Sequence, residues 1–239
     1  MATNNSFKKG LRDGLPICFG YLSVSFAFGI FAVGSGLSVL EAILISMFNL
    51  TSAGQLAAVP IIATGGGFLE LISTQLIINL RYALMSVSLS QKMDRSVRVR
   101  DRLIVSFANT DEVFAVASAN VGEVGRRYMY GLIITPFLGW TLGTALGALA
   151  GNVLPGSVVS ALGIAIYAMF VAIVVPVVRV NVGVALCALL AIAISTLFYY
   201  LPALSEVPSG FVIIIAAVVS AALFAALRPV EDKEDDADA

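Results

Sequence analysis

The chain has 239 residues, 59% hydrophobic and only 12% charged, with a mean hydropathy of +0.97, far above that of a soluble domain. This composition reads as one polytopic membrane domain, with no length left for a separate soluble module. The formal net charge is −1 and there is no histidine, which excludes histidine metal sites, Ser-His-Asp triads and histidine proton relays; no nucleic-acid surface and no cofactor are expected.

Residues 1–14 carry Lys8, Lys9 and Arg12 ahead of the apolar run 15–33. A secretory signal begins the same way, but this run is long for one and further apolar runs follow, so it is expected to be an uncleaved first span. The remaining apolar segments fall at 39–63, 67–90, 103–120, 129–151, 158–178, 181–201 and 211–227. Turn and breaker residues separate them: Gly34-Ser35-Gly36, Gly65-Gly66-Gly67, Pro155-Gly156, Asn181 and Pro202 through Pro208. Cys18 and Cys187 lie inside apolar runs, where a small buried hydrophobe is the expected role.

Segment 39–63 is interrupted at its centre by Asn49-Leu50-Thr51-Ser52-Ala53-Gly54-Gln55, and segment 103–120 by Asn109-Thr110-Asp111-Glu112. These residue types bond backbone locally and compete with the helix. A pair of interrupted segments is the strongest sequence pointer to a transporter's binding site; ordinary capping or bonding between helices is the competing reading. Between them, segment 67–90 places Arg81 of Asn79-Leu80-Arg81-Tyr82 near the membrane midplane. A guanidinium there costs at least about 2.5–3.5 kcal/mol unless it faces protein, water or an anion, and arginine cannot shed its charge. Arg81 therefore needs a partner.

The later segments are quieter. Gly139, Gly143, Gly147 and Gly151 form a stripe that lets another helix approach closely, from this chain or from a second copy in a homo-oligomer. Trp140, Tyr128, Tyr130, Tyr199 and Tyr200 read as interfacial anchors, and Glu70 as a solvated acid near a segment end. Residues 228–239 form an acidic tail expected to be disordered.

The basic groups cluster at Lys8/Lys9/Arg12, Lys92/Arg95/Arg98/Arg100/Arg102, Arg126/Arg127, Arg179 and Arg228. Eight full crossings would put the richest cluster outside. If 39–63 and 103–120 instead dip in and return, every cluster is cytoplasmic and Glu41, Glu70 and Glu206 are external. The expected fold is thus all-α and polytopic: six full spans over 15–227 plus two re-entrant or broken segments, eight spans being the alternative. Both termini are expected in the cytoplasm, in the cell membrane.

Four stretches resemble the AzlC family of branched-chain amino acid permeases: Phe19-Gly20-Tyr21 through Ala27-Phe28-Gly29 after Gly14-Leu15-Pro16; Ser46 through Ala53-Gly54-Gln55; Asn79-Leu80-Arg81-Tyr82; and Thr110-Asp111-Glu112-Val113-Phe114. The resemblance covers most of 10–178, though 158–178 has no acidic residue where the family often has one. It implies export of branched-chain amino acids, usually with a small AzlD-like membrane subunit as partner.

An amino acid is a zwitterion, so its carrier must offer a cation or helix N-termini to the carboxylate and acceptors to the ammonium. Arg81 suits the carboxylate, and Asp111 or Glu112 the ammonium. Thr51, Ser52, Gln55, Asn79 and Thr110 are candidates for the remaining bonds, and Phe48, Phe107 and Phe114 for an apolar wall. Asp111 and Glu112 are also the candidates for proton coupling. A structural ion pair between Arg81 and one of these acids is the competing reading of the site. A carrier or channel for another small anion or metabolite, and a subunit inactive without its partner, compete with the exporter reading. An enzyme is not expected.

Overall fold

The computed structural model describes residues 3–151 and 153–227, with parts of the 156–180 helix described by backbone alone. The expected tail at 228–239, with Arg228, lies outside the described residues. Ten helices follow in order among the described residues: α1 (Phe7–Gly34), α2 (Val39–Phe48), α3 (Ala53–Ala63), α4 (Phe68–Lys92), α5 (Val99–Phe107), α6 (Asp111–Ser118), α7 (Arg126–Gly151), α8 (Gly156–Val180), α9 (Val182–Tyr200) and α10 (Ser209–Leu227). Two short strands, β1 (Thr3–Asn4) and β2 (Glu123–Val124), pair in parallel.

Both interrupted segments break where the polar residues fall. Asn49 through Ser52 separate α2 from α3, and Ala108 through Thr110 separate α5 from α6. The ends are specified locally. Ser38 and Glu41 form a capping box at α2, Asp101 accepts from the Arg98 amide at 2.9 Å at α5, and the Thr110 hydroxyl accepts from Val113 N at 3.4 Å at α6. Ser52, with φ 53° and ψ −81°, is the one non-glycine residue of positive φ among the described residues. Such a conformation costs about 1–3 kcal/mol; here Gln55 Oε1, accepting from Ser52 N at 3.3 Å, helps hold it.

Hydrogen bonds fix which end of the bundle each connection occupies. At one end Gly125 N bonds Asn4 O at 2.8 Å and Asp94 N bonds Val124 O at 3.0 Å, while Arg126 N bonds Ser96 Oγ at 2.9 Å. The N-terminus, the 93–98 connection and the 119–125 connection therefore share one end, together with most of the basic residues. From there α5 climbs beside α7, from Asp101 against Tyr130 (2.6 Å) to Phe107 against Phe137 (centroids 6.4 Å). Then α6 returns, from Glu112 beside Tyr21 to Asn120, whose Nδ2 bonds Tyr128 OH at 2.7 Å. Segment 99–118 enters and leaves by the basic end.

The first broken segment mirrors it from the far end. Leu37 N bonds Ala32 O at 3.1 Å, where α1 ends. From there α2 descends to Ser46, in contact with Thr144 Oγ1 at 2.7 Å, and α3 climbs back to pack Val59 with Phe28, Leu37, Ala42 and Ala148. The α4 helix then starts at the far end and finishes at Lys92. Gly210 N, donating to Glu70 Oε1 at 2.8 Å, puts the start of α10 at the far end too. Connectivity then sends α8 to the basic end and α9 back. Six helices run end to end and two broken segments turn back, so the eight-crossing alternative is not the arrangement found. By length and composition α1, α7, α9 and α10 each qualify as membrane spans.

The glycine stripe meets α1 within the chain. Gly139, Gly143 and Gly147 lie against backbone or side-chain atoms of Cys18, Leu22, Ser25 and Phe26, and α1 answers with Gly10 against Tyr128, Gly14 against Thr135 and Gly29 against Thr144. Two long parallel helices in backbone contact make a rigid spine. Three expectations are corrected at this level. Glu70 is only 7% exposed because it caps α10. Tyr128 is fully buried because Asp13 and Asn120 satisfy its hydroxyl. Trp140 is buried at mid-span rather than anchored at an interface.

Candidate functional site

The two breaks meet at one cavity of about 860 Å³. The first contributes Leu50 to Ala53 and the second Thr110 to Glu112; Ile78, Arg81 and Tyr82 of α4, Tyr21 and Val24 of α1, Trp140 of α7 and Val174 of α8 complete much of its wall. On α1, α4 and α7 these residues lie within about one turn of mid-length, and Val174 of α8 lies in the basic half. The far half is filled by the dry cluster of Ala27, Phe28, Leu37, Ala42, Val59 and Ala148.

Arg81 finds its partner across the cavity: Nη1 stands 2.9 Å from Asp111 Oδ2. Its Nη2 donates to Tyr82 OH at 3.1 Å, and its guanidinium stacks on that ring at 4.9 Å. One contact to one carboxylate oxygen leaves part of the five-donor fork free. The pair is also wet, with the Arg81 side chain 51% and that of Asp111 45% exposed. Glu112, one residue on, meets no cation within 4 Å among the described residues; it accepts from Tyr21 OH. Tyr21 in turn packs edge-on to Trp140 at 5.0 Å, and the buried Trp140 Nε1 has no acceptor. The cavity thus holds one guanidinium and two carboxylates.

Two helix N-termini also point here. Asp111 and Glu112 sit in the first turn of α6, where negative charge is favoured. The first turn of α3 has no side-chain cap from Ser52, leaving its amide end for an anion.

Of the residues singled out from sequence, Thr51, Ser52, Arg81, Thr110, Asp111 and Glu112 line the cavity. Gln55 and Asn79 do not. Gln55 is fully buried, donating to Ser46 Oγ at 3.0 Å, and so ties the first break to α7 through Thr144. Asn79 donates to Gln75 Oε1 at 3.1 Å; Asn49 donates to the same atom at 3.1 Å, and Gln75 Nε2 reaches Gly54 O at 2.8 Å. That network pins the first break to α4. The proposed phenylalanine wall is not found: Phe48 is 72% exposed, Phe107 lines another groove, and Phe114 packs into the core beside α7. Tyr21, Tyr82 and Trp140 take that place instead. A tyrosine at the middle of an apolar run needs a hydroxyl partner, and that demand was the available signal for Tyr21.

A family model described as AzlC protein matches residues 16–154. The chain belongs to the AzlC family. Two relatives carry the same assignment to membranes: an uncharacterized membrane protein of Archaeoglobus fulgidus, 37% identical over 71% of this chain and 75% of its own, and the inner membrane protein YgaZ of Escherichia coli, 31% identical over 69% and 70%. No solved structure matches. The matched stretch spans both breaks, Arg81 and Trp140, so the whole cavity apart from Val174 falls within it.

Proposed function

We propose that this AzlC-family membrane protein exports branched-chain amino acids by alternating access, with the basic end in the cytoplasm and a small AzlD-like subunit as partner. The observation that carries the reading is a mid-bundle cavity holding a partly free guanidinium and a carboxylate without a cation. A zwitterion supplies the missing counter-charges: its carboxylate to Arg81 and the α3 N-terminus, its ammonium to Glu112. Ile17, Val24, Ile78, Val116 and Val174 offer an apolar side chain its surroundings. The cavity sits at mid-bundle and reaches toward the basic end through Pro16, Ile17 and Val174, which suits an inward-facing carrier. Opening outward means parting the dry cluster around Phe28 and Val59 while the α1–α7 spine stays whole.

Proton coupling belongs to the same reading, through Glu112 or Asp111. Export unaffected by an imposed pH gradient and membrane potential would refute the coupling. The test of the transport reading is efflux of isoleucine, leucine and valine from preloaded cells expressing wild type or Arg81→Ala, at matched membrane levels and with the partner co-expressed. Efflux by wild type that is lost in Arg81→Ala supports it; no efflux by wild type with the partner present refutes it.

A further inference from the structure

A second cavity, about 510 Å³, opens between α5 and α7 and is closed at one side by Phe7 of α1. Its wall is Ile104 and Phe107 of α5 with Ala108 just beyond, and on α7 Tyr130, Ile133, Ile134 and Phe137. Each wall follows one helical stripe, and each stripe continues toward the basic end into an arginine. Arg100 stands four residues before Ile104, and Arg126 four before Tyr130, the spacing that stacks side chains on one face. Both arginines act electrostatically on Asp101 and Tyr130 at the mouth.

Asp101 makes no ion pair with either. One of its oxygens accepts from Tyr130 OH at 2.6 Å and the other from the Arg98 amide at 2.9 Å. Among the described residues neither arginine, nor Lys8 beside Phe7, has a carboxylate within 4 Å. The eleven helical steps from Arg126 to Phe137 rise about 16 Å, close to half of the roughly 30 Å hydrocarbon core. The groove therefore has cations at headgroup level on both walls and an apolar channel one leaflet deep.

From this charge and shape we propose that the groove binds one anionic phospholipid, its phosphate between Arg100 and Arg126 and one acyl chain between α5 and α7. Basic pockets between helices on a membrane's anionic face hold such headgroups. The site lies outside the substrate cavity but touches its support: α5 ends at Phe107, and the break from Ala108 to Thr110 leads directly into Asp111 and Glu112. A lipid wedged against α5 steadies that break.

Thermal unfolding of the purified full chain in a non-ionic detergent tests this, titrated with phosphatidylglycerol, with phosphatidylcholine of the same chains, or with inorganic phosphate. Phosphatidylglycerol is expected to raise Tm by about 3–5 °C for each tenfold excess over Kd, phosphatidylcholine by much less and phosphate not at all. Arg100→Gln with Arg126→Gln should erase the preference for phosphatidylglycerol, and Ile134→Trp, which fills the groove, should weaken both lipids. A preference that survives the double arginine variant, or equal effects of the two lipids on wild type, overturns the proposal. Should the variants not fold, a photoreactive phosphatidylglycerol on wild type decides: cross-links within 100–108 and 126–137 support the site, and their absence there overturns it.

Discussion

Replacing Arg81 separates a residue that holds substrate from one that merely neutralises Asp111. For a buried pair, loss of one partner costs about 3–5 kcal/mol. Here the two side chains are 51% and 45% exposed, so screening by cavity water reduces the stability cost to about 1 kcal/mol or less, a fall of about 2–4 °C in Tm at this size. Transport loses more. Each charge-assisted hydrogen bond to a substrate carboxylate is worth about 1.5–3 kcal/mol, so Arg81→Ala should weaken apparent affinity about 10- to 150-fold, and Arg81→Lys should also fall short because a point charge replaces a planar fork. The decisive variant adds Asp111→Asn. Where Asp111→Asn alone still transports, a double variant that matches it shows that Arg81 serves only Asp111, and a double variant that stays impaired assigns Arg81 to the substrate carboxylate. Efflux at matched membrane levels, with Tm measured in parallel, reads both quantities. Recovery of near-wild-type transport in the double variant would refute the carboxylate role.

Three further outcomes follow from the packing. Gly147→Leu places a side chain on the backbone of Phe26 and should abolish the monodisperse folded protein in size-exclusion chromatography, whereas Gly20→Ala, with nothing nearby, should leave it intact. Gln55→Leu leaves Ser52 N without its acceptor, at about 1–3 kcal/mol, and removes one of the two bonds at Ser46 Oγ, which keeps Thr144; it should lower Tm by several degrees. Single cysteines at Asn5, Ser96 and Val121 should all react with an impermeant maleimide from one face of the membrane, and one at Thr64 from the other; reaction of Ser96→Cys and Val121→Cys from opposite faces would contradict the re-entrant α5–α6 segment.

Much of the architecture was legible because charge and polarity are costly at membrane depth. The runs at Asn49–Gln55 and Asn109–Glu112 interrupt apolar sequence for a reason, and both become breaks at the cavity. Placing the basic clusters on one side required the two segments to turn back, and they do. Side-chain direction was less legible. Gln55 and Asn79 belong to the same polar runs as Thr51 and Arg81, but their amides are consumed in pinning the first break to α7 and α4. Hydropathy treats Trp140 as an anchor and Glu70 as a solvated acid; only the packing of α7 on α1 and of α10 on α4 buries them. The glycine stripe announced a close neighbour without naming it, and α1 supplied the matching Gly10, Gly14 and Gly29.

In the proposed exporter, a branched-chain amino acid sits in the cavity between the two breaks, entered from the basic end. Ala115, on its α6 wall, offers the direct measurement: a single Ala115→Cys in a Cys18→Ala, Cys187→Ala background, labelled by an impermeant maleimide in membranes of known sidedness. Labelling from the face that carries the N-terminus, slowed by isoleucine, leucine or valine and not by aspartate, is the predicted result. Labelling at a rate that no branched-chain amino acid alters would contradict the account.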